Sequence, residues 1–290
     1  MDRRSFLTGS LALGGAVLVP VRFASAQATP DASPIDTDYP ALTLSLADDG
    51  FTIGSTFTAG RYAVTVVNTG TSEQSGAAHT VVARLPEGVS SDDFETIMTT
   101  SAGETFDFNT LHGLGFPDWP APNGGAVHGI ADLLPGDHVV FDPFDSRGHV
   151  FFTVTGEAAD APVPTADFGF TIGEMVINLP KEALTSAPAL WHIENKGALI
   201  HELAVLATPA DFTFDDFMAM MMLPEDATPT PDMKVIEYQP VVAIGLLGAG
   251  AQSWLHATLE TGHYMAVCMF PDDQGMPHAM SGMYAFFDIA

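Results

Sequence analysis

The only cysteine in the 290-residue chain, Cys268, stands in the stretch CMFPDDQGMPHAMSGM. His278 follows it after nine intervening residues and Met283 after four more. The stretch joins GHYMAVC to GMYAFFDIA, two runs with strand composition, so one loop brings thiolate, imidazole and thioether to the same end of a sheet. His201, opening HELAVL after the turn Asn195-Lys196-Gly197, adds a second imidazole. Two imidazoles, one thiolate and a weak thioether are the donors of a type 1 copper centre. The thiolate binds Cu(II) covalently and stabilises Cu(I), imidazole suits both states, and a distant thioether tunes the potential. Taken singly, each residue has a plainer reading: Cys268 as an inert core thiol, His201 as a strand histidine, Met283 as core filling. The ordered set of four favours copper, and zinc, which prefers closed tetrahedral sets without methionine, fits it less well.

The elements that must position these residues read as β throughout. YAVTVVN, HTVVARL, DHVVFD, HVFFTVT, HELAVL, HYMAVC and MYAFFDI are short, rich in Val, Phe, Tyr and Thr, and bounded by Gly, Pro, Asn or Asp. Short strands with many turns predict antiparallel sandwiches, two in tandem. DDFETIMTT and DDFMAMMM place acids where a helix N-terminus favours them and predict one short helix in each half. Met218, Met220, Met221 and Met222 read as the apolar face of the second helix rather than as soft copper ligands.

The chain also repeats itself. YAVTVVNTG (62–70), His79 and DDF (92–94) match LWHIENKG (190–197), His201 and DDF (215–217), while Gly136 and Gly148-His149 match Gly250 and Gly262-His263 at an offset of 114. Under that offset Val154 stands where Cys268 stands, so the first half lacks a thiolate. His79 then reads as a structural relic, and the first half as a packing or docking module. The expected organisation is a signal peptide (1–26), a flexible leader (27–40), a first domain without copper ligands (41–157), a linker (158–166) and a copper-bearing second domain (167–290).

With N-x-G…H upstream and G-x-Y-x-x-x-C…P-H-x-x-x-G-M downstream, the second half resembles the cupredoxin family. The matching residues are Asn195-Lys196-Gly197…His201 and Gly262-His263-Tyr264…Cys268…Pro277-His278…Gly282-Met283. The resemblance implies two Greek-key β-sandwiches with short helices. It also implies one type 1 copper held by His201, Cys268, His278 and Met283, with Asn195, Glu202, Pro277 and Gly282 supporting the ligands. His278 would be the edge ligand through which electrons leave. Two features depart from the common pattern: the Cys-to-His loop is nearer in length to that of copper nitrite reductases, and Glu202 follows His201 where many members place Asn. In copper nitrite reductases and multicopper oxidases a histidine beside the cysteine leads to a second copper centre; here the neighbours are Val267 and Met269. The expected role is therefore single-electron carrier rather than catalyst. A copper carrier or storage protein is the alternative, suggested by Met265, Met269, Met276 and Met280, which otherwise form a docking rim. A copper oxidoreductase related to two-domain nitrite reductases is the more distant one, using some pair among His112, His128, His138, His149, His192, His256 and His263.

The N-terminus carries Arg3-Arg4-Ser5-Phe6-Leu7, an apolar run and Ala24-Ser25-Ala26, an export signal of twin-arginine type. Cleavage after Ala26 removes three of nine basic residues and one of 36 acids, leaving six against 35 and a formal charge of −29. Nucleic acid and anionic lipid are therefore poor partners, and a redox partner with a basic docking surface is favoured. The expected location is periplasmic, extracellular or cell-surface, with no membrane-integral segment once the signal is cleaved.

Overall fold

In the computed structural model, residues 38–71, 79–99, 108–142, 148–158, 160–223, 228–236, 238–272 and 274–290 are described. The export signal and nearly all of the leader lie outside them. The described residues are dominated by strands, as composition predicts. The strands of the N-terminal half are β1 (Ala41–Ala47), β2 (Gly50–Thr52), β3 (Thr56–Thr58), β4 (Gly60–Asn68), β5 (Val81–Arg84), β6 (His112–Gly113), β7 (Gly125–Leu133), β8 (Gly136–Phe141) and β9 (His149–Thr155). The C-terminal half contributes β10 (Phe168–Gly173), β11 (Val176–Asn178), β12 (Ala189–Asn195), β13 (His201–Thr208), β14 (Val242–Leu247), β15 (Gln252–Ala257), β16 (Gly262–Val267) and β17 (Tyr284–Ile289).

Alternation decides which face each strand buries. In β1 Leu42, Leu44 and Leu46 point inward, and in β12 Ala189, Trp191 and Ile193 do the same. All six residues of β14 are buried, so it is covered on both faces.

The sheets do not respect the midpoint of the chain. One eight-stranded sheet runs β11-β10-β12-β15-β7-β4-β1-β2, joining the halves through antiparallel β15 and β7. Read outward from that seam, its two wings match: β4 and β12 occupy equivalent places, and each pairs in parallel with a strand, β1 or β10, that carries its own short antiparallel partner. The facing sheets are β3-β9-β8-β5-β6 and β14-β13-β16-β17. These also approach edge to edge. The segment after β6 pairs antiparallel with β14 through Leu114 with Leu247 and Pro117 with Ile244. Backbone N–H groups of Gly115, Gly245 and Asp118 donate across the gap to Leu246, Phe116 and Ala243.

Among the described residues each half holds one short α-helix at the expected place, α1 (Ser91–Thr99) and α2 (Phe214–Met221). The Thr213 hydroxyl accepts the Asp216 N–H and the Asp216 carboxylate accepts the Thr213 N–H, a reciprocal cap. Phe217 is buried, and Met220 and Met221 pack against the same core. Met220 and Met221 thus serve packing, whereas Met222, expected on the same face, is 62% exposed.

Candidate metal centre

His201 begins β13 and is held there by the turn before it. Asn195 Oδ1 accepts the Gly197 N–H at 2.9 Å, and Asn195 Nδ2 donates to the carbonyls of Leu199 and Leu247, both at 2.8 Å. The first half uses the same device, with Asn68 Oδ1 accepting the Gly70 N–H at 3.0 Å. Cys268 directly follows β16, and His278 opens a short 3-10 turn, His278–Ser281. Pro277 leads into that turn, and Gly282, with φ of 104°, closes it in the left-handed region that glycine tolerates. Backbone bonds tie the ligand loop together. Cys268 N–H donates to Met283 O at 3.2 Å, Met283 N–H to His278 O at 3.0 Å, and Ala279 N–H to Cys268 O at 2.8 Å.

The outcome is a compact donor set. His201, Cys268 and His278 are all buried, and one donor atom from each lies within 4.8 Å of the other two. His201 Nδ1 is 3.1 Å from His278 Nδ1, which is 3.5 Å from Cys268 Sγ. Burial, reinforced by the neighbouring imidazole, pushes His201 down to about 4, and burial also lowers His278. Both rings are therefore neutral near pH 7, the form that ligates a metal. Burial, with the Glu202 charge, raises the Cys268 thiol well above its ordinary range. A thiol so placed ionises only beside a strong positive charge, such as a metal ion. The buried Nε2 of His201 has no hydrogen-bond partner. The donors present, two neutral imidazoles and a thiol in a dry pocket, fit a soft, thiophilic ion such as copper. Met283 is fully buried in the same core cluster as Cys268.

Glu202 departs from a simple supporting role. Its backbone N–H points at Cys268 Sγ at 3.5 Å, and its Oε1 accepts the Met269 N–H at 2.8 Å. Its Oε2 lies 3.1 Å from Nε2 of His79, which belongs to the other half. His79 is no relic: its second ring nitrogen meets Asp118 Oδ2 at 2.5 Å, and the Trp119 ring stacks on it at 4.7 Å. Asp118 and Trp119 carry no signal in the sequence, because nothing in a loop between strands announces a carboxylate aimed across to the residues just before β5, 38 to 39 positions earlier.

Three other expectations need correction. His278 is 1% exposed rather than an open edge ligand. Phe270, whose ring meets it edge-on at 6.0 Å, and Ile200 pack into a cluster with Phe94, Phe108 and Leu111 of the N-terminal half, which caps this end of the sandwich. Met265 is fully buried beside α2 and forms no rim, whereas Met269, Met276 and Met280 are half-buried. The position equivalent to Cys268 is Asp142, not Val154. Val81 pairs with Phe141 as Ala204 pairs with Val267, so β8 matches β16, and the residues after these strands correspond. The same register makes His79 the counterpart of Glu202, and its N–H donates to Asp142 Oδ2 at 3.2 Å as that of Glu202 points to Cys268. The sequence offset slipped because the connections between matching strands differ in length. Among the described residues, no other group of three or more His, Cys, Asp or Glu side chains is gathered as a metal site.

No protein-family model matches the chain, and no curated protein matches it. Among solved structures, it is similar to Na-dithionite-reduced auracyanin from the photosynthetic bacterium Roseiflexus castenholzii. That likeness has 17% identity over 42% of this chain and 94% of the other, with a TM-score of 0.28. Auracyanin B matches at 16% identity over 44% and 93%, with a TM-score of 0.28. A multicopper oxidase matches at 14% identity over 86% and 88%, with a TM-score of 0.24.

Proposed function

We propose that the chain is an exported blue-copper protein of cupredoxin type that carries single electrons. One type 1 copper would be held by His201, Cys268 and His278, with Met283 as the weak fourth donor. The observation that carries this reading is the meeting of two neutral imidazoles and the only thiol in one dry pocket. Bound copper would supply a one-electron couple. The chain's own residues fix the donors: the Asn195 turn sets His201, the 3-10 turn sets His278, and the backbone bonds of Met283 join Cys268 to His278. A pocket so constrained resists rearrangement, which suits rapid electron exchange. Val267 and Met269 beside the thiol offer no imidazole leading to a second metal, which supports carrier over catalyst. The acidic mature chain suits a basic redox partner.

Copper(II) titration of the purified protein, followed by metal analysis and visible and EPR spectroscopy, tests the reading. One copper per chain and an intense thiolate charge-transfer band are expected. Cys268→Ser should abolish the band, whereas Met283→Leu should keep it and raise the reduction potential, because a thioether favours Cu(II). A colourless copper adduct, or a band that survives Cys268→Ser, overturns the assignment.

A further inference from the structure

We propose that His79, a residue of the N-terminal half, is a positioning residue for the Cys268 thiolate of the C-terminal half, acting through Glu202. The proposal rests on the copper reading above. Glu202 is only 3% exposed, and a carboxylate buried beside a thiolate is costly unless each of its oxygens is paired. One oxygen is paired with the Met269 N–H, the amide immediately after Cys268, and the other with His79 Nε2. The Glu202 side chain therefore fastens the start of β13 to the residue that follows the thiol, while its own N–H faces Sγ.

His79 is fixed in turn from three sides. Its other ring nitrogen is held by Asp118 Oδ2, Trp119 stacks on its face, and its own N–H is held by Asp142. Asp118 is immobilised because its second oxygen accepts the N–H groups of Thr80 at 2.9 Å and Trp119 at 2.8 Å. Trp119 sits at φ of 60°, an uncommon conformation for a bulky residue, and the Asp118 contact helps to hold it there. Burial opposes a charge on His79, but Asp118 and Glu202 outweigh it and raise its pKa well above the ordinary range, in keeping with a proton on each ring nitrogen. Without His79, one oxygen of Glu202 is left buried and unpaired. The side chain then turns away and draws its amide from the sulfur. A hydrogen bond to a thiolate withdraws electron density and favours Cu(I), so its loss lowers the reduction potential.

The test uses the full-length copper-loaded protein and compares His79→Phe with His79→Gln. Phe keeps the stacking on Trp119 and removes both ring nitrogens; Gln keeps an N–H donor toward Glu202. His79→Phe is expected to shift the visible band and weaken the preference for Cu(I) about ten-fold, about 59 mV for a one-electron couple. His79→Gln should recover most of that loss. Asp118→Ala, which leaves His79 in place but untethered, should shift the potential the same way and carries the test if His79→Phe does not fold. A wild-type band and potential in folded His79→Phe, or failing that in Asp118→Ala, overturns the proposal. Equal shifts in the Phe and Gln variants overturn it too, because charge rather than positioning would then be the cause. A wild-type protein with no blue band removes the copper reading itself, a result that looks different from a blue protein indifferent to His79.

Discussion

At the scale of single residues, the site's chemistry follows from burial acting on neutral and charged forms unequally. His201 falls to about 4 because an imidazolium would be buried there, and His278 falls for the same reason. The sign of the pH effect follows. In the unfolded chain each histidine binds its proton near pH 6.5, whereas the folded apoprotein refuses it until about pH 4 at His201. Stability contributed by the neutral rings is thus full above about pH 6.5 and is lost as pH falls toward the folded value. His138, also pushed to about 4 by burial, works in the same direction. His79, whose folded pKa is raised, works the other way, so the test is differential: in denaturant unfolding of the metal-free protein at pH 7 and pH 4.5, His138→Gln should lose less stability on acidification than the wild type, and an identical change in both contradicts the assignment. His201, Cys268 and His278, which the structure gathers, were legible because their types and order are themselves the signal. Asp118 was not, because its importance lies in a contact between two segments outside the strands that no local pattern encodes.

At the scale of elements, strands and helices were visible as alternating or acid-led patterns, and both short helices stand where Asp pairs precede apolar residues. Register was not visible. Pairing in β5–β8 and β13–β16 is a property of two strands together, so an offset taken from glycines alone picked Val154 instead of Asp142. The edge pairing of the segment after β6 with β14 was hidden for a related reason: it is short, and it joins residues more than a hundred positions apart. Glycine makes that approach possible. A Cβ on Gly113 would lie 2.3 Å from the Leu246 carbonyl oxygen, and one on Gly245 would lie 2.7 Å from that of Thr80. Because the obstacle is backbone on both sides, no side-chain rotation relieves it. Gly113→Ala should therefore destabilise the protein by about 1–3 kcal/mol, the usual cost of overpacking. Gly169→Ala, where a Cβ meets nothing within 4 Å and φ is not positive, is the uncrowded comparison. Equal losses in urea denaturation for the two variants would refute crowding at Gly113.

At the scale of the whole molecule, the two halves are joined as matching parts rather than strung along a linker. β7 meets β15 antiparallel, the segments around Pro117 and Ile244 meet antiparallel, and His79 meets its own counterpart Glu202. Arg61 of β4, held by Asp132, lies 4.5 Å over the Trp254 ring of β15. Its Nη1 also donates to the Pro162 carbonyl, which pins the connecting segment to the first half. Such reciprocal contacts give the architecture of a dimer folded within one chain, and they explain why a half without its own thiol still bears on the other half's site. Separating the halves would leave two six-residue strand edges, on β15 and β14, without partners, and unpaired edges favour aggregation. The copper-bearing half would also lose the cover that Phe94, Phe108 and Leu111 give to Phe270 and Ile200. Residues 38–290 should therefore unfold in one cooperative transition, with calorimetric and van't Hoff enthalpies in agreement. A fragment of residues 167–290 should be much less stable than the same residues in the intact chain, or aggregate. Two resolved transitions in the intact chain, with the fragment melting where the second one lies, would show instead that the halves fold independently, as tandem domains on a linker do.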